Sequence, residues 1–409
     1  MTTPDSQIQV DPQDIDYLLS PQAVRERSQM VFDLATKGQT HFKVNHDRLD
    51  TVADYVLEVI RENYPDLRIP FHSRNNHLNA GKIDRLGRLE KMLSGKAKTE
   101  IAKSKIDLIV VSVLLDAGAG DRWTYQESGQ PPGANKIYSR SEGLAVASFH
   151  MFQAGGFSSD KSSPLQADIQ GLKNIMPFDL ERYFQVKKEN PLAGVEGRVY
   201  LLNALAIAME KQPAIFKNGR IGDLLDHLTE KHGNKLKAAH VLDFVLRTLG
   251  EIWPSRLRLR QQNLGDVWSY KNTLIPFHKL SQWLSYSLLV PMMEAGIEIT
   301  DVHELTGLPE YRNGGLLLDL GFLELKNPEL LTKKHEPHSD VIVEWRALTV
   351  TSLDLIGDAV RKKLGLMQDE LPLAKVLEGG TWHAGRKIAK EKRPGGEPPL
   401  NIVSDGTVF

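Results

Sequence analysis

Residues 305–315 read LTGLPEYRNGG, and LLLDLG follows directly. The stretch ends one helical pattern, turns tightly at Leu308-Pro309 and begins another, so it predicts two short helices joined by a hairpin turn. Glu310, Tyr311 and Arg312 fall on the turn itself, and Asp319 lies one or two turns later. Gly314 and Gly315 let a neighbouring backbone come close. A carboxylate on such a turn can serve sugar hydroxyls or a developing cation. The plainer reading of Glu310 is an exposed glutamate at a helix start, favoured there by the helix dipole.

Working outward, the periodicity stays helical. PQAVRERSQMVFDLATKG (21–38), LDTVADYVLEVIRENYPD (49–66), GRVYLLNALAIAMEKQ (197–212), IGDLLDHLTEKHG (221–233), AAHVLDFVLRTLGEIW (238–253) and IVEWRALTVTSLDLIGDAVRKKLG (342–365) all repeat apolar positions near a 3.6 period. Strand signals are few, with LRIPFH (67–72) and the closing PLNIVSDGTVF (399–409) the candidates. The expected fold is mainly α, compact and two-lobed, with few short strands. Residues 1–12 read as a polar tail and 13–409 as a single two-lobed helical domain, its C-terminal lobe starting at about 255.

Composition narrows the function classes. Lys and Arg total 51 against 52 Asp and Glu, a formal net charge of -1, which gives little long-range attraction for nucleic acid or anionic lipid. Zero cysteines exclude disulfides, iron–sulfur clusters and thiolate zinc sites. The N-terminus lacks a basic and then apolar leader pattern. The most apolar run, IDLIVVSVLLDAGAG (106–120), is interrupted by Asp107 and Ser112 and is too short to span a bilayer. The expectation is a cytoplasmic protein with no membrane or nucleic-acid partner, compatible with a homo-oligomer. No dinucleotide fingerprint, phosphate loop, nucleophile elbow or HExxH motif is found, so no cofactor and no metal is expected.

The most informative helix is PFHKLSQWLSYSLLVPMM (276–293). Lys279, Gln282, Trp283 and Tyr286 fall at i, i+3, i+4 and i+7, one face, with His278 beside them. An apolar stripe there would mean core; a lysine and an amide among aromatics suggests a pocket wall. The alternative is a surface lysine beside half-buried rings whose polar ends reach water. Arg346 shares a face with Val343, Ala347, Val350 and Leu353, so it points inward and must be paired. Glu310 or Asp319 is the expected partner, ahead of a ligand phosphate. Upstream, DAGAGDRWTYQESGQ and YSRSEGLAVASF set Asp121, Trp123, Arg140 and Glu142 around glycine-bearing segments. SRSEG could present helix-terminal amides to an anion, although Ser139 or Ser141 acting as a simple N-cap is the plainer reading. His72, His77 and His383 have no metal spacing. GTWHAGRKIA (380–389) is read as a tail segment able to close over a pocket.

FHKLSQWL, LTGLPEYRNGGLLLDLGFLEL and VEWRALTV together resemble the C-terminal half of the queuosine-salvage nucleoside N-glycosylases, themselves similar to helix-hairpin-helix DNA glycosylases. That resemblance implies a glycosylase-like hairpin at 305–315 with Lys279 in the place of the catalytic lysine and Arg346 in that of a buried arginine. Glu310 stands where those proteins carry Asp. Over its whole length, on GDRWTYQE, YSRSEGL and SDGTVF, the chain resembles the uracil-catabolism proteins of fungi and bacteria. Combined, the resemblances imply a small nucleoside or nucleotide fragment as substrate and hydrolysis of its ribosyl–nitrogen bond. Lys279 and Glu310 would be catalytic. Trp283, Tyr286, Gln282, His278, Tyr311, Arg346, Arg140, Glu142, Trp123 and Asp121 would bind the substrate. Amide hydrolysis of another ring-opened pyrimidine, and a non-catalytic role as partner of a separate enzyme that opens the uracil ring, are the alternatives.

Overall fold

The computed structural model describes residues 12–116, 118–120, 122–128, 135–253 and 257–403. Their chain is mainly α, with strands only in short pairs. Contacts divide it into two units. One takes its described positions from 12–72, 257–282 and 301–403, the other from 73–253 and 283–300.

The first unit is organised by a 25-residue helix, Asp340–Leu364. Buried residues occur in an unbroken run from Val341 to Leu353, as expected of a helix surrounded by protein. It packs against Pro21–Thr36 and Leu49–Asn63. Pro21–Thr36 starts cleanly because Ser20 accepts from Ala23 N at 3.1 Å and Pro21 occupies the first turn, where its missing N–H leaves no bond unmade. The long helix stops at Gly365, which takes the left-handed conformation. Tyr311–Asp319 lies on it with the Trp345 indole donating to Gly314 O at 3.0 Å. A Cβ on Gly314 would sit 2.7 Å from that indole, so the glycine is set by close approach.

Three expectations change here. The 305–315 turn is not a two-helix hairpin: a single 3-10 turn, Val302–Glu304, leads into an irregular stretch in which Glu310 N donates back to Leu308 O at 2.9 Å, and only Tyr311–Asp319 is α-helical. LRIPFH is not a strand: Leu67 takes a left-handed conformation with φ 57°, Ile69 N donates back to Leu67 O at 2.9 Å, Pro70 has no donor, and His72 N donates to Ala374 O at 2.9 Å instead of to a ladder. GTWHAGRKIA is no tail. It runs from a π-helical turn, Leu377–Thr381, into the helix Trp382–Lys392, which packs on Tyr311–Asp319. Gly385 makes that packing possible, since a Cβ there would collide with the Arg312 carbonyl. Gly385→Ala is therefore expected to cost about 1–3 kcal/mol by overpacking, read as a lower denaturation midpoint; an unchanged midpoint would show that the two helices slide freely.

Strands appear where none was expected. Val267–Tyr270 pairs antiparallel with Thr273–Pro276, and Phe42–Val44 with Leu323–Leu325. Of the closing segment, Asn401–Ile402 pairs parallel with Lys334–His335, while 404–409 lie outside the described residues.

The second unit holds Lys98–Leu114, Arg140–Gln153, Val195–Glu210, Asp223–His232, Ala238–Thr248 and, from Trp283 onward, the helix Lys279–Glu294. The apolar run at 106–115 is core, with Asp107 paired with Arg220 at 2.7 Å and accepting from Gly222 N at 2.6 Å. Thr124–Glu127 and Lys136–Ser139 form an unexpected antiparallel pair that feeds the helix Arg140–Gln153. Among the described residues no helix is long and apolar enough to cross a membrane, and no three His, Asp or Glu side chains are grouped to hold a metal ion.

Candidate functional site

The first unit builds its site from one clasp. Gln282, buried on the helix Lys279–Glu294, donates to Thr306 Oγ1 at 2.7 Å and Phe277 O at 3.1 Å, and accepts from Thr306 N at 2.8 Å. The Gln282 amide is thus spent on holding the stretch before Glu310. Because Lys279 lies one turn before Gln282 and Glu310 four residues after Thr306, the clasp brings the two within electrostatic reach.

Glu310 is the N-cap of Tyr311–Asp319. Its two carboxylate oxygens accept from Arg312 N at 2.7 Å and Asn313 N at 2.5 Å. Burial pushes this carboxyl above its ordinary range, against the two amides and the nearby Lys279 charge, which pull the other way. The expected exposed glutamate is a half-buried one. Asn313 ties the same turn down by donating to Leu308 O at 3.0 Å. Arg312 donates to Gly396 O at 2.6 Å and lies over the Tyr311 ring at 4.8 Å.

The start of the Lys279 helix rests on a residue the sequence reading missed. Asp266 Oδ2 accepts from Lys279 N at 3.0 Å. Arg346 grips both oxygens of Asp266 at 2.7 Å each, and the Trp268 indole adds a bond at 2.6 Å. Burial alone would raise Asp266; the Arg346 guanidinium overrides it and holds the carboxyl far below the usual carboxylate range. Arg346 is buried as expected, but its partner is Asp266. Asp319 pairs with Arg393 at 2.7 and 2.5 Å. His278 is buried in a left-handed backbone conformation, φ 49°, and donates from Nε2 to Leu18 O at 2.8 Å, a structural role. Burial depresses its basicity. A groove of about 540 Å³ on this unit, lined in part by Arg48, Asp319 and Arg393, includes neither Lys279 nor Glu310.

His72 donates from Nδ1 to Glu378 at 2.7 Å in the first unit, and its ring lies 5.5 Å from that of Trp382, which His383 meets edge-on.

The family profile described as a protein of unknown function, DUF1688, matches residues 17–409. The chain belongs to the DUF1688 family. Two relatives are similar over nearly the whole length. Uracil catabolism protein 4 of Lachancea kluyveri is 38% identical across 97% of this chain and 99% of its own. Protein urg3 of Schizosaccharomyces pombe is 41% identical across 96% and 98%. In this DUF1688 chain the other candidates fall in the second unit. Trp283 packs there with His77, 5.7 Å between rings, and Tyr286 is fully buried. Trp123 is core, its indole donating to Phe184 O at 2.9 Å. Arg140 is exposed and Glu142 partly so at a helix start, while Asp121 lies outside the described residues. Neither expected serine cap forms: Ser139 makes no side-chain cap, and Ser141 Oγ donates to Asp116 at 2.6 Å.

Proposed function

We propose that this chain is a hydrolase of uracil breakdown that splits the bond between ribose C1 and the ureido nitrogen of a ring-opened uracil nucleotide. Ribosylurea, or its 5-phosphate, would yield urea and ribose or ribose 5-phosphate. The reading rests on one observation, the half-buried Glu310 carboxylate held at a helix start within reach of the Lys279 charge. The pathway is supported by the name of the relative from Lachancea kluyveri and by the extent of that match.

The chemistry asks for two groups. Breaking C1–N leaves a sugar with oxocarbenium character and a poorly leaving nitrogen. Glu310 stabilises the developing cation and takes a proton from the attacking water, a role its raised carboxyl suits. Lys279 supplies the proton that the departing urea nitrogen requires. Water adds to C1, the C1–N bond breaks, and the proton on Glu310 returns to Lys279, which resets the pair.

The deciding assay follows urea and ribose, or ribose 5-phosphate, released from ribosylurea and from its 5-phosphate by the wild-type chain. Equal release of both products from either compound is expected. No urea from either sinks the glycosidic reading and turns attention to amide bonds of other ring-opened pyrimidines.

A further inference from the structure

The helix Val195–Glu210, in the second unit, is apolar on both its sides. Its inner side is core, with Val199, Leu202, Leu205 and Met209 buried. Its outer side carries Tyr200, 59% exposed, and Ile207, 47% exposed, with the partly exposed Ala204 between them. A helix that is apolar all round is normally surrounded by protein, whereas a surface helix keeps charge on the face away from the core. The helix Pro177–Tyr183 packs beside it and, with its N-cap Met176, adds Met176 and Phe178, 60% and 67% exposed. Of ten large hydrophobic side chains left exposed among the described residues, four therefore lie on two neighbouring helices. Singly scattered apolar residues need no explanation, but a cluster marks a surface that something covers.

Charge says what covers it. Glu196, Tyr200, Ala204, Ile207 and Lys211 follow one another at spacings of four, four, three and four, a single stripe along the helix. Glu196 lies in its first turn and Lys211 is its C-cap; both are exposed, and neither side chain has a hydrogen-bond or ion-pair partner among the described residues. The stripe is its own complement. Turned end for end about its midpoint, between Asn203 and Ala204, it sets Tyr200 against the partner's Ile207 and Glu196 against the partner's Lys211, and does so twice. Glu210, which would approach the partner's Gly197, is already paired with Lys173 at 2.6 Å and adds little repulsion towards Glu196. Asn203 Nδ2 donates to Leu172 O at 2.8 Å in its own chain, which leaves the small Ala204 at the crossing. An isologous interface uses the same patch on both subunits. A parallel pairing would bring like charges together at each end, so the charges select the antiparallel one.

We propose that this face is the interface between two copies of the chain, with the helices Val195–Glu210 antiparallel across a twofold axis. A 16-residue helix is about 24 Å long, and its face supplies only part of the roughly 800 Å² that each partner hides in a standard interface. Met176 and Phe178 widen the patch, and the dimer is a reversible one. Nothing in this inference depends on the hydrolase reading, and its test is read without turnover.

Sedimentation velocity of the full chain over a range of concentrations should show a monomer–dimer equilibrium. Ile207→Lys places a charge at an exposed position, so it should weaken the dimer by roughly tenfold or more while the dilute protein melts as wild type does. Glu196→Lys and Lys211→Glu should each weaken it by roughly fivefold, because either one sets like charges together at both ends of the pair. The double variant Glu196→Lys with Lys211→Glu exchanges the two charges and should return the affinity to near the wild-type value. A wild-type chain that stays monomeric at every concentration, or an oligomer that Ile207→Lys leaves intact, overturns the interface. Single charge variants that dimerise like wild type, or a double variant that recovers nothing, overturn the antiparallel twofold register.

Discussion

Lys279→Met is expected to lower the rate of urea release from ribosylurea by roughly 100- to 10,000-fold, the usual contribution of a positioned acid or base. Glu310→Gln should fall into the same range. The two substitutions separate chemistry from architecture. Glu310 caps Tyr311–Asp319 through both carboxylate oxygens, and Gln keeps one of those acceptors while removing the charge. Its folding cost should therefore lie below the roughly 0.5–2 kcal/mol of losing a cap outright. A Glu310→Gln chain that melts near wild type yet releases urea at wild-type speed ends the glycosidic mechanism.

The pH profile gives a second readout of the same pair. A Glu310 carboxyl pushed up by burial must be ionised to steady a developing cation. The rate should then drop on the acid side at a pH above the roughly 4.3 of an ordinary glutamate. Glu310→Gln should abolish that limb. An acid limb at the same pH in both proteins would assign it to another group.

Much of this site was legible because helical spacing is local. Lys279 and Gln282 share a face by arithmetic, and Arg346 points inward for the same reason. What sequence could not supply were the partners. Gln282 looked like a pocket wall, but its amide is matched donor for acceptor to Thr306, a pairing that exists only once the 305–310 stretch has folded back. Asp266 carried no local signal at all. It follows a glycine and precedes a strand whose pairing partner starts at Thr273, and six of the eight strand residues of that hairpin are buried, so the alternation that reveals a half-exposed strand is missing. The two-helix hairpin failed for a related reason. Leu305 to Pro309 is apolar enough to suggest a helix end, but Gln282 takes up the Thr306 backbone amide, and the stretch stays out of helix. GTWHAGRKIA misled through composition, since its glycines serve tight helix packing rather than mobility.

Arg346→Met should be the most destabilising substitution at the site. It leaves Asp266 buried with only the Trp268 indole and the Lys279 amide as partners. Stranding one member of a buried ion pair costs about 3–5 kcal/mol, far more than a surface pair would. The loss should appear as a lower guanidinium chloride midpoint. Adding Asp266→Asn should recover part of it, because a neutral amide no longer needs the missing cation; a double variant as unstable as the sum of the singles would show that the pair is not coupled. The pH dependence has a definite sign. The Asp266 carboxyl is depressed in the folded chain, so its contribution is complete above the unfolded aspartate value of about 3.9. It is lost as pH falls through the lower folded value. In Arg346→Met the same carboxyl, buried and poorly paired, gains from protonation. The stability gap between wild type and variant should therefore be widest near neutral pH and narrow below about pH 4. Catalysis should fail alongside it, because Asp266 anchors the backbone of Lys279. Adding Asp266→Asn, which keeps an acceptor for that amide, should restore urea release along with stability.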